Sequence, residues 1–150
     1  MPSVLIIDDE PNIRRMVGAL LAAEGYEVRD APDGAAGLAH AIELEPDVLL
    51  LDLMMPGELD GLATLGKVRE SLPDVPVVMM SGRAGLSDAV KATKLGAFNF
   101  LEKPLSPESV LLALASAMEL RQARREARRR IEAGEPIESE LFDRGTAGSP

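Results

Sequence analysis

The stretch Val48-Leu-Leu-Leu-Asp-Leu-Met-Met-Pro-Gly57 carries the pattern that decides the fold. Its first four residues are apolar, and the run stops at the carboxylate of Asp52. A short run that is apolar at every position is typical of a strand buried on both faces of a parallel sheet. Residues 4–7, 75–80 and 97–101 form three similar runs, each of which also ends at polar residues. Residues 26–30 are a weaker candidate, which we place nearer an edge of the sheet.

Helical patterns fill the gaps between these strands. Pro11 suits the first position of a helix and Gly25 the position after its end, with an apolar stripe at helical spacing between them. We predict further helices over residues 34–44 with Asp33 as the cap, over 62–72, over 86–95, and from Pro107 onward with Ser106 as the cap. Five strand–helix units in succession predict an α/β fold, a doubly wound five-stranded parallel sheet, (βα)5, with helices on both faces.

The composition is that of one globular domain with an appendage. The chain has 150 residues, of which 46% are hydrophobic, and it contains no cysteine. The absence of thiols excludes disulfides and thiolate metal sites and fits a reducing compartment, so we predict a cytoplasmic protein. The first apolar run ends at Asp8, which is unlike a signal peptide, and no apolar stretch is long enough to span a membrane. A net charge of −9 argues against direct nucleic-acid binding.

The fifth helical pattern continues past the predicted domain. Nothing interrupts it between Leu111 and about Ala133, and Gly134 and Pro136 then end it. We therefore predict a domain over residues 1–120, a helical linker over 121–134 that continues the fifth helix, and a flexible tail over 135–150 that leads to an effector domain. Residues 121–130 contain six arginines. Such a run can contact DNA phosphates, but the acidic net charge favours the solvated face of a helix.

The length of this helix predicts a homodimer. A helix over residues 107–133 would span roughly 40 Å at about 1.5 Å per residue, and the sheet can cover only its first half. We expect Val110, Leu111 and Leu114 to face the sheet. Steps of four and three indicate a coiled-coil seam along the helix, formed by Ala113, Ala117, Leu120, Arg124, Ala127 and Ile131. Because three of these residues are alanine and one is arginine, we predict a weak dimer.

Polar side chains follow four of the predicted strands. Asp8 and Asp9 come after the first strand, Asp52 after the third, Ser81 after the fourth and Lys103 after the fifth. Ligands of an open parallel sheet bind beyond the carboxyl ends of its strands, so these side chains are expected to converge.

The convergent residues indicate a metal site and a nucleophile. Three neighbouring carboxylates repel one another unless a cation lies among them, and ligands that are all oxygen suit Mg²⁺. A carboxylate such as Asp52 can attack phosphorus and form an acyl phosphate. Lys103 would offset the charge of the phosphoryl oxygens, and Ser81 can donate a hydrogen bond to one of them.

These residues resemble the motifs of the receiver domains of two-component response regulators, a CheY-like superfamily with a flavodoxin-like fold. The resemblance covers about residues 3–120. It implies that Asp52 is the phosphoacceptor and that Asp8, Asp9, Asp52 and the backbone carbonyl of Met54 hold Mg²⁺.

The same resemblance assigns the remaining site residues and a partner. It implies that Ser81 and Lys103 bind the phosphoryl group, that Ser81 and Phe100 form the switch, and that the peptide bond before Pro104 is cis. A sensor histidine kinase is the implied partner.

Residues 90–105 are similar to the nitrogen-regulator (NtrC/NtrX) class, whose receivers control AAA+ activators of sigma-54 promoters. The chain departs from the usual family pattern in one loop. The segment from Asp52 to Gly61 has one extra residue before Asp60. Because the insertion lies beyond the predicted metal ligands, we expect the chemistry to be kept and the third helix to begin in a shifted register.

Two other functions fit parts of the pattern. A phosphohydrolase similar to haloacid dehalogenases also uses an aspartate nucleophile, Mg²⁺ and a lysine. Such enzymes carry a second aspartate two residues after the nucleophile, where this chain has Met54. A stand-alone receiver that acts only through protein contacts is the other alternative, and the long fifth helix weighs against it. We predict that the chain is not an enzyme, although it would catalyse its own aspartyl phosphorylation and dephosphorylation.

Overall fold

A computed structural model describes residues 1–82 and 85–135. Five parallel strands form one sheet in the order β2-β1-β3-β4-β5. The strands are β1 (Ser3–Ile7), β2 (Glu27–Ala31), β3 (Val48–Asp52), β4 (Val77–Ser81) and β5 (Asn99–Glu102). The predicted doubly wound, flavodoxin-like α/β fold is confirmed.

The helices alternate with the strands along the chain. They are α1 (Pro11–Ala23), α2 (Gly34–Leu44), α3 (Gly61–Ser71), α4 (Leu86–Lys94) and α5 (Pro107–Glu132). Asp33 and Asp60 cap α2 and α3, each accepting a hydrogen bond of 2.8 Å from a backbone N–H three residues later. Ser106 caps α5 in the same way at 3.0 Å. These caps satisfy N–H groups that the first helical turn leaves without partners.

Two strands begin later than predicted, for reasons of hydrogen bonding. The fourth strand was expected from residue 75, but β4 begins at Val77, directly after Pro76, which has no N–H to donate to a ladder. The fifth was expected from residue 97, but the Ala97 N–H bonds the carbonyl of Ala92 and closes the end of α4. The predictions for β2 and α3 are each displaced by one residue, and α3 begins at Gly61.

The core lies on both faces of the sheet. Alternate strand residues, such as Leu50 and Leu51, point to opposite faces and are fully buried. One face packs against α1 and α5, and the other against α2, α3 and α4. No helix among the described residues is both long and apolar enough to cross a membrane.

The first half of α5 packs on the sheet and corrects the predicted seam. Val110, Ala113, Leu114 and Ala117 are buried in the core shared with α1. The prediction that Ala113 and Ala117 belong to a dimer seam is therefore wrong, because the chain's own core already covers both side chains.

The second half of α5 also contacts the domain. Arg121 and Arg125 form ion pairs with Asp47, which precedes β3, and Arg128 forms one with Asp74, which precedes β4. Arg121 is only 14% exposed, so the expected solvated face does not include it, whereas the side chains of Arg125 and Arg128 are 60% and 49% exposed, as a solvated face predicts. Apart from Glu135, the predicted flexible tail lies outside the described residues.

Candidate functional site

The carboxyl ends of four strands bring the predicted residues together. The registers pair Ile7 with Leu51, Asp52 with Met80, and Ser81 with Glu102, so the strand ends are aligned. Carboxylate oxygens of Asp8, Asp9 and Asp52 all lie within 4.8 Å of one another. This edge of the sheet therefore holds a compact cluster of three acids.

Asp8 is the buried centre of the cluster. Its side chain has no exposed surface and accepts a hydrogen bond of 2.8 Å from the N–H of Glu10. The guanidinium of Arg14 donates to the Asp8 backbone carbonyl at 2.8 Å and pairs with Asp30 at 3.0 Å. Contacts with its own backbone and with α1 therefore fix the orientation of this residue.

Asp52 ends β3 and is only 3% exposed. Burial raises the pKa of its carboxyl from 3.8 to about 7, and the neighbouring Asp8 adds to the increase, whereas Lys103 opposes it. The backbone N–H of Met54 lies 3.4 Å from Asp52 Oδ1. A buried carboxylate whose ionised form is this unfavourable is well suited to bind a cation or to react with an electrophile.

Lys103 connects the acids. Its Nζ lies 2.8 Å from Asp8 Oδ2, 3.6 Å from Asp52 Oδ1 and 4.0 Å from Glu10 Oε2. Burial by itself would lower the pKa of Lys103, but the hydrogen bond to Asp8 and the charges of Asp8, Asp52 and Glu10 raise it above its usual value. The ammonium is therefore firmly protonated. Its peptide bond to Pro104 is cis.

Ser81 and Phe100 occupy neighbouring strands beside the acids. Ser81 is buried at the end of β4, and its carbonyl accepts a hydrogen bond of 2.8 Å from the Lys103 N–H. Phe100 is half-buried on β5 and packs against the core on the α2–α3–α4 face. A movement of Ser81 beside the acids could therefore be passed to Phe100, which is partly exposed on the neighbouring strand. The switch roles of both residues stay predictions.

The loop after Asp52 is anchored at both ends. Met54 is 63% exposed, whereas Leu53 is buried and its carbonyl accepts a hydrogen bond of 3.1 Å from the N–H of Gly61. A Cβ on Gly61 would lie 2.4 Å from the Asp52 carbonyl oxygen and 2.5 Å from Leu53. Only glycine allows α3 to begin this close to the end of β3.

Sequence reasoning missed two residues that shape the site. Arg14 lies in a helix and carries no motif, and only the fold shows that it holds the backbone of Asp8. Gly34 makes a close approach of the same kind as Gly61, since a Cβ there would meet the Thr64 hydroxyl at 2.4 Å. For Gly34 the available signal was a glycine at the first position of a predicted helix, and for Gly61 it was a glycine directly before one.

The cluster has the chemistry of a divalent-cation site. It presents oxygen ligands only, and its three carboxylates face a single ammonium. Like charges this close raise the free energy of the ionised site, and a bound cation would remove that cost. Mg²⁺ prefers a few carboxylates together with water or phosphate oxygens, which matches this open acidic edge.

Comparisons with known proteins agree with this geometry. The family model for the response regulator receiver domain matches residues 4–115. Among curated proteins, the chain is 40% identical over 126 residues to the nitrogen assimilation regulatory protein NtrX of Azorhizobium caulinodans, covering 83% of this chain and 28% of that protein. It is 35% identical over 125 residues to the regulatory protein AtoC of Escherichia coli, covering 83% of this chain and 27% of that protein.

Solved structures give the same result. The receiver domain of NtrX from Brucella abortus superposes with a TM-score of 0.74 at 38% identity, covering 77% of this chain and 98% of that one. The described residues thus correspond to nearly the whole of a solved receiver domain. By contrast, the chain spans only about a quarter of the length of the curated relatives it matches.

Proposed function

Because this chain belongs to the response regulator receiver family, we propose that it is a phosphorylation-controlled switch that accepts a phosphoryl group on Asp52 from a sensor histidine kinase. The observation that carries the proposal is the position of Lys103, whose ammonium bridges Asp8 at 2.8 Å and Asp52 at 3.6 Å. A buried carboxylate that lies beside two further acids and a fixed positive charge supports this role for Asp52.

The reaction follows from these positions. An Asp52 carboxylate oxygen attacks the phosphorus of a phosphohistidine, the P–O bond forms, and the P–N bond breaks with its electron pair returning to the imidazole. Asp8, Asp9, Asp52 and the Met54 carbonyl would hold Mg²⁺, which supplies charge neutralisation for the phosphoryl oxygens. Lys103 adds a second positive charge beside the buried carboxylates of Asp8 and Asp52. The chain is not an enzyme acting on an outside substrate, because the product remains on its own side chain.

The phosphoryl group would act as a switch through its new charge. The Ser81 hydroxyl would donate a hydrogen bond to a phosphoryl oxygen, and Phe100 would turn inward into the space left by that movement. The surface formed by α4, β5 and α5 would then change shape. Such coupling is a shift between two states that a local charge biases.

The output is proposed to be transcriptional. Similarity to the nitrogen-regulator class supports a cytoplasmic receiver that controls an AAA+ activator of sigma-54 promoters through a separate effector domain. With the seam corrected, the proposed weak homodimer would use the exposed part of α5 beyond residue 120. The net charge of −9 disfavours direct contact of this chain with DNA, so we propose that the effector domain binds the DNA.

Phosphorylation by a small acyl-phosphate donor tests the proposal. With Mg²⁺, the mass should rise by one phosphoryl group, and the increase should be lost in Asp52→Asn or when EDTA removes the metal. Glu43→Gln, which changes an exposed acid on α2, is the matched control and should be labelled normally. Stoichiometric labelling of Asp52→Asn would refute the assignment of the nucleophile.

A further inference from the structure

The linker end of α5 is held against the edge of the sheet opposite the phosphorylation site. Asp47 immediately precedes β3 and Asp74 lies three residues before β4, so both belong to the amino-terminal edge. Arg121 Nε and Arg125 Nη1 lie 3.6 and 3.7 Å from Asp47 Oδ1. Arg128 contacts both oxygens of Asp74 in a bidentate pair, with Nη2 at 3.0 Å from Oδ1.

Asp47 is held by a contact outside the helix, and Asp74 is held by Arg128 of the helix itself. The second oxygen of Asp47 accepts a hydrogen bond of 2.8 Å from the Ser3 N–H, which leaves Oδ1 directed at the two arginines. The hydrogen bond from Arg128 holds the pKa of the Asp74 carboxyl below its usual value. The side chains of Arg121 and Asp47 are only 14% and 19% exposed, so solvent screens this pair less than an ordinary surface pair. Arg125 and Arg128 are 60% and 49% exposed, so their pairs are screened more.

We infer that Asp47 and Asp74 form an acidic seat that binds the arginine face of the linker helix, Arg121, Arg125 and Arg128, and thereby fixes the direction in which that helix leaves the receiver. The seat is an interaction surface whose partner is the chain's own helix, and it does not depend on phosphorylation. A single pair would permit the helix to swing. Two anchoring points on neighbouring strands, separated by seven residues of helix, define its direction.

The groove beside the seat does not point to a small ligand. It encloses about 670 Å³. Its lining carries as many acids as arginines, and these are Glu45, Asp47, Asp74 and Glu132 against Arg121, Arg125, Arg128 and Arg129. A lining with balanced charge favours binding of neither an anionic nor a cationic ligand. Such a balance of acids and arginines is expected where a basic helix packs on an acidic edge of the sheet.

The seat also determines which face of the linker stays uncovered. At 3.6 residues per turn, the three seated arginines lie within about 60° of one another around the helix, and Ala127 and Ile131 lie about 100° away. Ile131 is 55% exposed. Contact of the linker helix with the seat therefore points Ala127 and Ile131 in one fixed direction. These two residues lie on the face that the proposed dimer would use.

Distance measurements between two spin labels test the seat. The chain has no cysteine, so cysteines placed at the exposed positions Ala22, on α1, and Ala133, after α5, can be labelled selectively. We expect one narrow distance distribution for this labelled chain, and a broader, shifted one when Asp47→Asn and Asp74→Asn are added. Thirteen residues of helix span about 20 Å, so a swing of about 30° at residue 120 would move Ala133 by roughly 10 Å.

A second set of variants removes the same ion pairs by changing the arginines of the helix instead of the acids. Replacing Arg121, Arg125 and Arg128 by glutamine should broaden the distribution equally, and adding the two asparagine substitutions should then change nothing further, because both sets remove the same contacts. In Asp47→Asn, the side-chain amide still offers an oxygen to the Ser3 N–H, so the domain should keep its circular dichroism spectrum and its melting temperature within a few degrees.

The controls separate the seat from other effects of charge. Glu43→Gln with Glu70→Gln removes two exposed acids that form no ion pair within the described residues, and it should leave the distribution unchanged. Dilution of labelled chain with excess unlabelled chain should also leave it unchanged, since the contact is intramolecular. The inference is overturned if the asparagine variants keep the narrow distribution, or if dilution removes it. Neither result bears on labelling of Asp52, which lies at the other edge of the sheet.

Discussion

Replacement of Asp52 by asparagine is expected to stabilise the metal-free protein, and to do so more at pH 8 than at pH 5. In the folded protein, the pKa of the Asp52 carboxyl is raised from 3.8 to about 7, mainly by burial. The folded state therefore holds this proton more tightly than the unfolded state does. The resulting stability is fully present below pH 3.8 and is lost as the pH rises through 7.

The magnitude follows from the difference between the two pKa values. At about 1.4 kcal/mol per pKa unit, the raised pKa of Asp52 costs the folded state about 4 kcal/mol at pH 8, where the carboxyl is ionised in both states. At pH 5 the folded state keeps the carboxyl protonated, and the cost is smaller by about 3 kcal/mol because two pH units separate pH 5 from the folded pKa of about 7. Asparagine has the same shape but does not titrate, so any constant effect of the amide cancels between the two pH values. The gain in the free energy of unfolding should thus be larger at pH 8 by about 3 kcal/mol, or about 8 °C in melting temperature.

Urea unfolding of both proteins in EDTA at pH 5 and pH 8 measures this difference. Glu43→Gln on the exposed face of α2 is the control and should show no such dependence on pH. Saturating Mg²⁺ should then stabilise the parent protein more than the variant, because the cation binds the folded acidic cluster and only the parent has all three carboxylates. An equal effect of Asp52→Asn at both pH values would show that Asp52 titrates normally and would refute the reasoning.

Three further substitutions have expected outcomes with matched controls. Gly61→Ala should lower the free energy of unfolding by about 2 kcal/mol or more, because its Cβ meets fixed backbone. Gly66→Ala in the same helix, where the new Cβ meets nothing within 4 Å, should be neutral or stabilising in the same urea titration. Leu114→Ala should lower the free energy of unfolding by about 2–5 kcal/mol. Leu112→Ala, at a position that is 71% exposed, should change it by no more than about 0.5 kcal/mol. Equal melting temperatures for the two variants would contradict the assignment of the buried face of α5. Lys103→Ala should keep the fold and lose Mg²⁺-dependent beryllofluoride binding, since this anionic mimic of the phosphoryl group loses its counter-charge. Tight binding by this variant would contradict the role of the ammonium.

The sequence predicted the sheet well because its signal is local. The three central strands β1, β3 and β4 are short, largely apolar runs that end at or directly before a charged or hydroxyl side chain, as in residues 48–52. The starts of β4 and β5 were less predictable. They depend on which carbonyl each N–H reaches, as at Ala97, and an apolar side chain gives no information about that.

The acidic cluster could also be predicted, since parallel strands carry their end residues to one edge. Its positioning contacts could not. Arg14 reaches the Asp8 carbonyl from the first turn of α1, and an isolated arginine in a helix gives no sign of such a contact. The seam in α5 failed for a related reason. A spacing of four and three marks an apolar face, but it does not distinguish a partner helix from the chain's own sheet, where Ala113 and Ala117 are buried.

The anchoring of the β3–α3 loop has a consequence for how such sequences diverge. Leu53 and Gly61 are joined by a hydrogen bond at the base of the loop, and Leu59 packs against Gly34. The tip between them, Pro56 to Glu58, is exposed, and Gly57 has a positive φ of 98°. An inserted residue can therefore be accommodated at the tip without moving Asp52 or the start of α3. Selection would thus act strongly on the two ends of this loop and only weakly on its length, which makes loop length a marker of lineage rather than of activity.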